Sequence, residues 1–288
     1  MTVASTKLSP SVNTKGQDVK VDIFHLDQIP DAMDKMGWKV APQLMRHWFS
    51  ITPAFKFTKD IKDKFIAGDA RLIPEDRVND TIVKMAWALP YIQGKLQEKM
   101  KAWNSTAGIK LLRQRLIRAG YSANMRIPLG MSDSARVLDA TAQVNTIGVG
   151  GLLDTIDDWY GAIGNASLKF AVSGYSGAHH GRPAFFVDRV GVYLKDTYDF
   201  VDEGKYISEP LGVWSKNGVL TKAGTTAYLA SYGSALFGIL AREWSGFVPI
   251  YNSDFRNWQD KHNAGGDFIV FSDVLWLNPL PNQRIIYL

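Results

Sequence analysis

The chain has 288 residues, 46% hydrophobic and 21% charged, a globular composition long enough for one large domain or two small ones. Zero cysteine excludes a disulfide scaffold, a cysteine-based zinc site, an iron–sulfur cluster and a thiolate nucleophile. The net charge of +5 hides a split, because residues 1–126 carry 21 basic and 12 acidic side chains and residues 127–288 carry 12 and 16. No stretch approaches the roughly 20 apolar residues of a membrane span, and the polar N-terminus lacks the apolar core of a signal peptide, so a cytoplasmic protein is expected.

Residues 1–20, rich in Ser, Thr, Lys and Asn, read as a disordered arm. Residues 21–126 read as a basic helical region. Pro30, Pro42, Pro53 and Pro74 break its first part and leave room for short helices around Leu44–Phe49 and Lys59–Phe65. Ile82, Met85, Leu89, Ile92, Leu96, Met100 and Trp103 then recur at steps of three or four, the period of one helix face, with Pro90 expected to kink or split the helix. Asn104-Ser105-Thr106 offers a cap for a second helix carrying Ile109, Leu112 and Leu116 and stopped by Gly120. The pair predicts a kinked helical hairpin with an apolar seam and a basic outer face, since nine Lys or Arg lie from Lys84 to Arg126 against Glu98 alone.

Residues 127–288 read as an acidic, β-rich domain. Val137–Val149, the alternation of Leu168, Phe170 and Val172, Phe185–Leu194, FIVFSDVLWL and the terminal RIIYL are strand signals. Ser173–Arg182 reads as a Gly- and Ser-rich loop. Helices are expected at about Thr225–Glu243, apolar all round and hence buried, and at Ser253–His262. Helices first and strands later predict an α+β fold, with a helical hairpin followed by a mainly antiparallel sheet that carries two or three inserted helices.

The basic hairpin could neutralise phosphates, with Trp87, Tyr91 and Trp103 as stacking platforms. Those aromatics belong to the apolar seam, however, so docking to an acidic protein surface, the chain's own acidic half included, is the better reading. Trp103, Arg113, Arg115 and Arg118 are then the candidate anchors. Asp154, Asp157 and Asp158 sit at i, i+3 and i+4 and could share a hard cation or an acid/base role, although capping a helix start is the simpler use. In Lys195-Asp196-Thr197-Tyr198-Asp199-Phe200, alternation sends Asp196, Tyr198 and Phe200 one way and Asp199 the other.

The D-x-Y-D-F string resembles the catalytic segment of colicin M-like, lipid II-degrading bacteriocins, whose motif continues to a His-Arg pair. Here Val201-Asp202-Glu203-Gly204-Lys205-Tyr206 follows instead. With His180 of the His179-His180 pair, Asp154, Asp157, Asp196 and Asp199 make up the candidate polar site of an enzyme acting on envelope material. No H-E-x-x-H, nucleophile elbow or phosphate loop completes a reaction, and no metal or cofactor is expected.

Several longer strings carry a second resemblance: Val137–Asp139 with Val144-Asn145, GGLLDTIDDWYGAIG, DRVGVYLKDTYDF, LGVWSK, PIYNSDFRNWQDKHNAGGD and FIVFSDVLW. In this order and spacing they resemble, over residues 40–288, an uncharacterised bacterial family often encoded near type VI secretion spike and adaptor genes. The resemblance implies a context rather than a reaction. It suggests an accessory protein that docks an effector or neighbouring cargo onto the spike, with the other proteins of the locus as partners and export without a signal peptide. The contrasting expectation is an effector enzyme built on the five polar residues above.

Overall fold

The computed structural model describes residues 24–67, 73–122, 125–151, 156–202, 208–234, 236 and 243–288, so the arm expected at residues 1–20 lies outside the described residues. Three short helices, α1 (Ile29–Lys35), α2 (Ala41–Ser50) and α3 (Lys59–Ala67), precede strand β1 (Val78–Asn79) and the consecutive helices α4 (Met85–Met100) and α5 (Thr106–Arg118), each of which packs on the later strand Gln143–Val149. There follow β2 (Pro128–Leu129), α6 (Ala135–Thr141), β3 (Gln143–Val149), α7 (Asp158–Ala162), β4 (Ala166–His179) and β5 (Arg182–Tyr198). The remainder is β6 (Pro210–Ser215), β7 (Gly218–Val219), α8 (Lys222–Gly233), β8 (Val248–Tyr251), α9 (Asn252–His262), β9 (Phe268–Phe271), β10 (Leu275–Leu277) and β11 (Ile285–Tyr287). The class is α+β, with a mixed, mostly antiparallel sheet of eight strands and a second sheet in the order β7-β6-β8.

The long β4–β5 hairpin is the spine of the main sheet. β4 also pairs with β2 and β3, while β5 pairs antiparallel with β9, β10 and β11, and β1 adds to β9 in parallel. The segment expected to be a loop, Ser173–Arg182, is instead the outer half of this hairpin, paired as far as His179↔Arg182. Its glycines serve the sheet rather than break it. A Cβ on Gly174, beside a register shift, would lie 2.0 Å from the Phe186 carbonyl oxygen. The turn itself is His180-Gly181, both with positive φ (49° and 72°), the backbone that a two-residue hairpin demands.

Two other expectations change. Val137–Val149 is not one strand, because Ser134 caps α6 by accepting from the Val137 N–H at 3.4 Å and strand begins only at Gln143. The helix expected at Thr225–Glu243 to be buried all round begins at Lys222, and of α8 only Tyr228 is buried, with Tyr232 54% exposed; residues 235 and 237–242 of that expectation lie outside the described residues. At Pro90, where a kink or a split is expected, the helix is not split. α4 runs through Pro90, forgoing one backbone bond in its second turn, and Ser105 caps α5 through Gly108 N–H.

A continuous apolar cluster runs from Ile29 to Ile286, taking in Trp103, Leu112 and Leu116 of the α4–α5 region together with Phe170, Val192 and Phe268 of the sheet. The core therefore crosses from the basic region into the acidic one. Polar ties fix the seam. Asn145 Nδ2 donates to the Trp103 carbonyl at 2.7 Å, and Arg115 donates to the carbonyls of Asp139, Ala140 and Gln143. Buried acids do the same elsewhere. Lys195 Nζ lies 2.8 Å from Asp139 Oδ2, and the Tyr193 hydroxyl donates to the other oxygen at 2.9 Å. Asp267, wholly buried, accepts from Trp48 Nε1 (3.0 Å), from Phe57 N–H (2.7 Å) and from both terminal nitrogens of Arg256 (3.0 and 2.7 Å).

Removing Asp267 strands a guanidinium, an indole N–H and a backbone N–H in the interior. Asp267→Ala is expected to lower unfolding stability by about 3–5 kcal/mol, measured by denaturant titration, and Asp267→Asn, which keeps shape without charge, by less. A loss below about 1 kcal/mol for the alanine variant would contradict the tie.

Candidate functional site

At the inner end of β5 a cavity of about 470 Å³ opens between three walls. Ile29, Met33, Trp38 and Met45 of the α1–α2 segment form one, Asp196 to Phe200 a second, and Trp214, Val219 and Ile250 of the small sheet the third, with Tyr160, Lys222 and Thr225 beside them. Each wall has a local cause. Asp158, the first residue of α7, turns its carboxylate onto the start of α2 and accepts from Lys39, Val40 and Ala41 N–H at 2.8–3.0 Å. Those are orphan donors of a helix N-terminus, and the negative charge also complements its dipole. Gly161 lets the α7 backbone close on Trp38, since a Cβ there would lie 2.6 Å from the ring. Trp38 in turn meets Trp214 edge-on at 6.0 Å, and Phe200 stacks on Phe255 at 3.6 Å.

The two aspartates of the D-x-Y-D-F string both line this cavity but do different work. Asp199 pairs with Lys62 of α3 at 3.2 Å and accepts from Val201 N–H at 3.0 Å, the local turn bond expected of a strand-end Asp. Asp196 makes no ion pair among the described residues. Burial pushes its carboxyl well above the usual carboxylate range; a hydrogen bond from Thr197 N–H opposes the rise, the nearby Asp199 charge adds to it, and Lys62 opposes it. The Tyr198 hydroxyl, 3.6 Å from Met45 Sδ, is likewise pushed upward by burial. At the far wall Tyr160 is shifted the same way, first by burial and then by Glu209, and Lys222 Nζ lies over its ring at 5.2 Å. Thr225 Oγ1 is buried with no hydrogen-bond partner among the described residues.

Of the five-residue polar constellation, Asp196 and Asp199 share the cavity, and His180 is remote from it. Asp157 is the cap of α7, accepting from Tyr160 N–H at 3.0 Å. His180 is at the exposed hairpin tip, roughly 45 Å along β5 from Asp196 at the usual rise per residue. Asp154 lies outside the described residues. Among the described residues, no group of three or more His, Asp or Glu is placed to hold a metal ion.

The proposed surface anchors divide as well. Trp103 is 0% exposed and therefore cannot meet a partner, and Arg115 is spent on internal carbonyls. Both were drawn inward because the seam of α5 faces β3. Arg113 and Arg118 stay exposed, and between them Ile117 is 66% exposed. Sequence reasoning missed Ile117, Lys62, Trp38, Trp214 and Thr225. The first was legible as an isoleucine out of phase with Ile109, Leu112 and Leu116, whereas the rest meet only in the fold.

Fold and site together define an α+β protein spined by one long hairpin, with an acid-lined apolar cavity at the sheet's end and a cationic helical face. The chain belongs to the family of unknown function DUF6402, whose profile matches residues 24–287. No curated protein and no solved structure matches it. Among the described residues, no helix is long and apolar enough to cross a membrane.

Asp196 supplies a pH signature. Its folded-state carboxyl holds a proton that the unfolded chain releases, so its contribution favours folding at acidic pH and declines as pH rises from the ordinary aspartate range through the raised value. Asp196→Asn is expected to gain stability relative to wild type as pH rises, in denaturant midpoints taken across the acidic to neutral range. Parallel curves for the two proteins would show that Asp196 is not held neutral.

Proposed function

We propose that the protein is a binding protein of a type VI secretion locus, docking an effector or neighbouring cargo protein onto the secretion spike through the outer face of α4 and α5. The observation that carries this reading is the exposed Ile117 among cations. Lys110, Arg113 and Ile117 fall at i, i+3 and i+7 on one face of α5, with Arg118 adjacent. Lys110, Arg113 and Arg118, like Lys84, Lys99 and Lys101, make no ion pair among the described residues. Single exposed charges are ordinary, but an apolar anchor within an unpaired cationic rim suits an acidic protein surface.

The same face is less suited to single-stranded nucleic acid, because Trp103 is buried and Trp87 and Tyr91 are stacked on Trp159 at 5.6 and 5.1 Å. The effector-enzyme reading has less behind it, since Asp196 and Asp199 share the cavity but His180 stands at the far tip of the β4–β5 hairpin. The secretion context rests on the family resemblance.

Co-expression with the products of neighbouring genes, followed by affinity capture, tests the reading. Wild type is expected to retain one of them, and Arg113→Glu/Arg118→Glu and Ile117→Asp to weaken retention by roughly tenfold or more at unchanged thermal stability. A chain that stays unbound beside every neighbour overturns it.

A further inference from the structure

We infer that the cavity at the end of β5 is a binding site for an amphipathic organic amine, whose apolar body packs against the walls that hold Trp38 and Trp214 and whose ammonium meets Asp196. This goes beyond the docking reading and uses none of its residues. The volume of about 470 Å³ lies within the range that encloses a small organic ligand. Met33, Met45 and Ile250 join the two indoles in walls that offer apolar contact. A carboxyl within such walls is costly to ionise unless a cation accompanies it.

Among the described residues, no cation forms an ion pair with Asp196. Lys62 is engaged by Asp199 at 3.2 Å, and Lys222 rests over the Tyr160 ring at 5.2 Å. The charged and titratable groups facing Asp196 are therefore Asp199 with its Lys62, Tyr198, Tyr160 with the neighbouring Glu209, and Lys222. An anionic head would meet two aspartates, and a neutral head would gain little beyond burial. An ammonium gains the Asp196 charge and the electron-rich ring faces, one of which already holds a lysine ammonium. Thr225 Oγ1, buried and without a partner among the described residues, supplies a further polar contact. On binding, the ligand arrives as its ammonium ion, Asp196 releases its proton to solvent, and the ion pair forms without any covalent change.

The test uses the full chain with decylamine, decanol and decanoate, three probes of one length and different heads, in calorimetric titrations below their aggregation concentrations. An alkylamine titrates near the lysine value of about 10.4, so it remains charged at neutral pH. Wild type is expected to bind decylamine roughly tenfold or more tightly than decanol near pH 8. That preference shrinks toward acidic pH as Asp196 is reprotonated, and proton release is visible as a dependence of heat on buffer. Decanoate binds weakest. In Asp196→Asn the amine falls to the level of the alcohol while the alcohol is unchanged, which also shows that the cavity is intact. Equal affinity for amine and alcohol in wild type, an unaltered amine affinity in Asp196→Asn, or no binding of any probe overturns the inference. Arg113→Glu/Arg118→Glu binds decylamine as wild type does, so failure of docking and failure of this site are read separately.

Discussion

The arrangement depends most on one buried carboxylate. Asp158 opens a helix of only five residues, yet it satisfies three consecutive N–H groups at the start of α2 and also accepts from Trp87 Nε1 at 3.2 Å. Segments near residues 40, 87 and 158 are thereby joined at a single charge. Several N–H donors satisfy the lone pairs of one buried carboxyl group, where unpaired polar atoms would be costly. Because α2 is anchored at its first turn, Met45 reaches Tyr198 and Trp38 reaches Trp214, and the cavity has walls.

The same chemistry recurs where helices meet sheet. Asp267 gathers donors from α2, α9 and the segment at Phe57, and Asp139 gathers Lys195 and Tyr193 beneath the hairpin. Such ties add direction more than net stability, since desolvation offsets much of the attraction. The apolar cluster supplies the drive, and the acids select which helix face lies against which strand. Asp196 is the exception, a half-buried acid that makes no ion pair among the described residues, and it lines the cavity.

Local signals made much of the fold legible. The three-and-four stepping of Met85, Ile92, Leu96 and Trp103 located α4 and the turn after it, and alternation in the strands from Leu168 and Phe185 located β4 and β5. Legibility failed where tertiary contact overrode composition. Glycines at 174 and 177 read as loop, but Phe186 on the partner strand lies over both. The apolar stretch after Thr225 read as core, but the described part of α8 keeps only Tyr228 inside. Arg115 and Arg118, three residues apart, read alike, and only the position of β3 made one internal and the other free.

The sequence by itself determined the α+β class, the two helices α4 and α5, the opposed charges of the two halves and the aspartate pair at a strand end, because these follow from spacing, periodicity and counting. Only the tertiary structure decided the rest: that Asp157 is a cap, that His180 is far from Asp196, that Asp199 has Lys62 and Asp196 has no such partner, and that Ile117 faces outward. Each of those depends on distances between residues remote in the chain, which the packing of the core sets and local pattern does not encode.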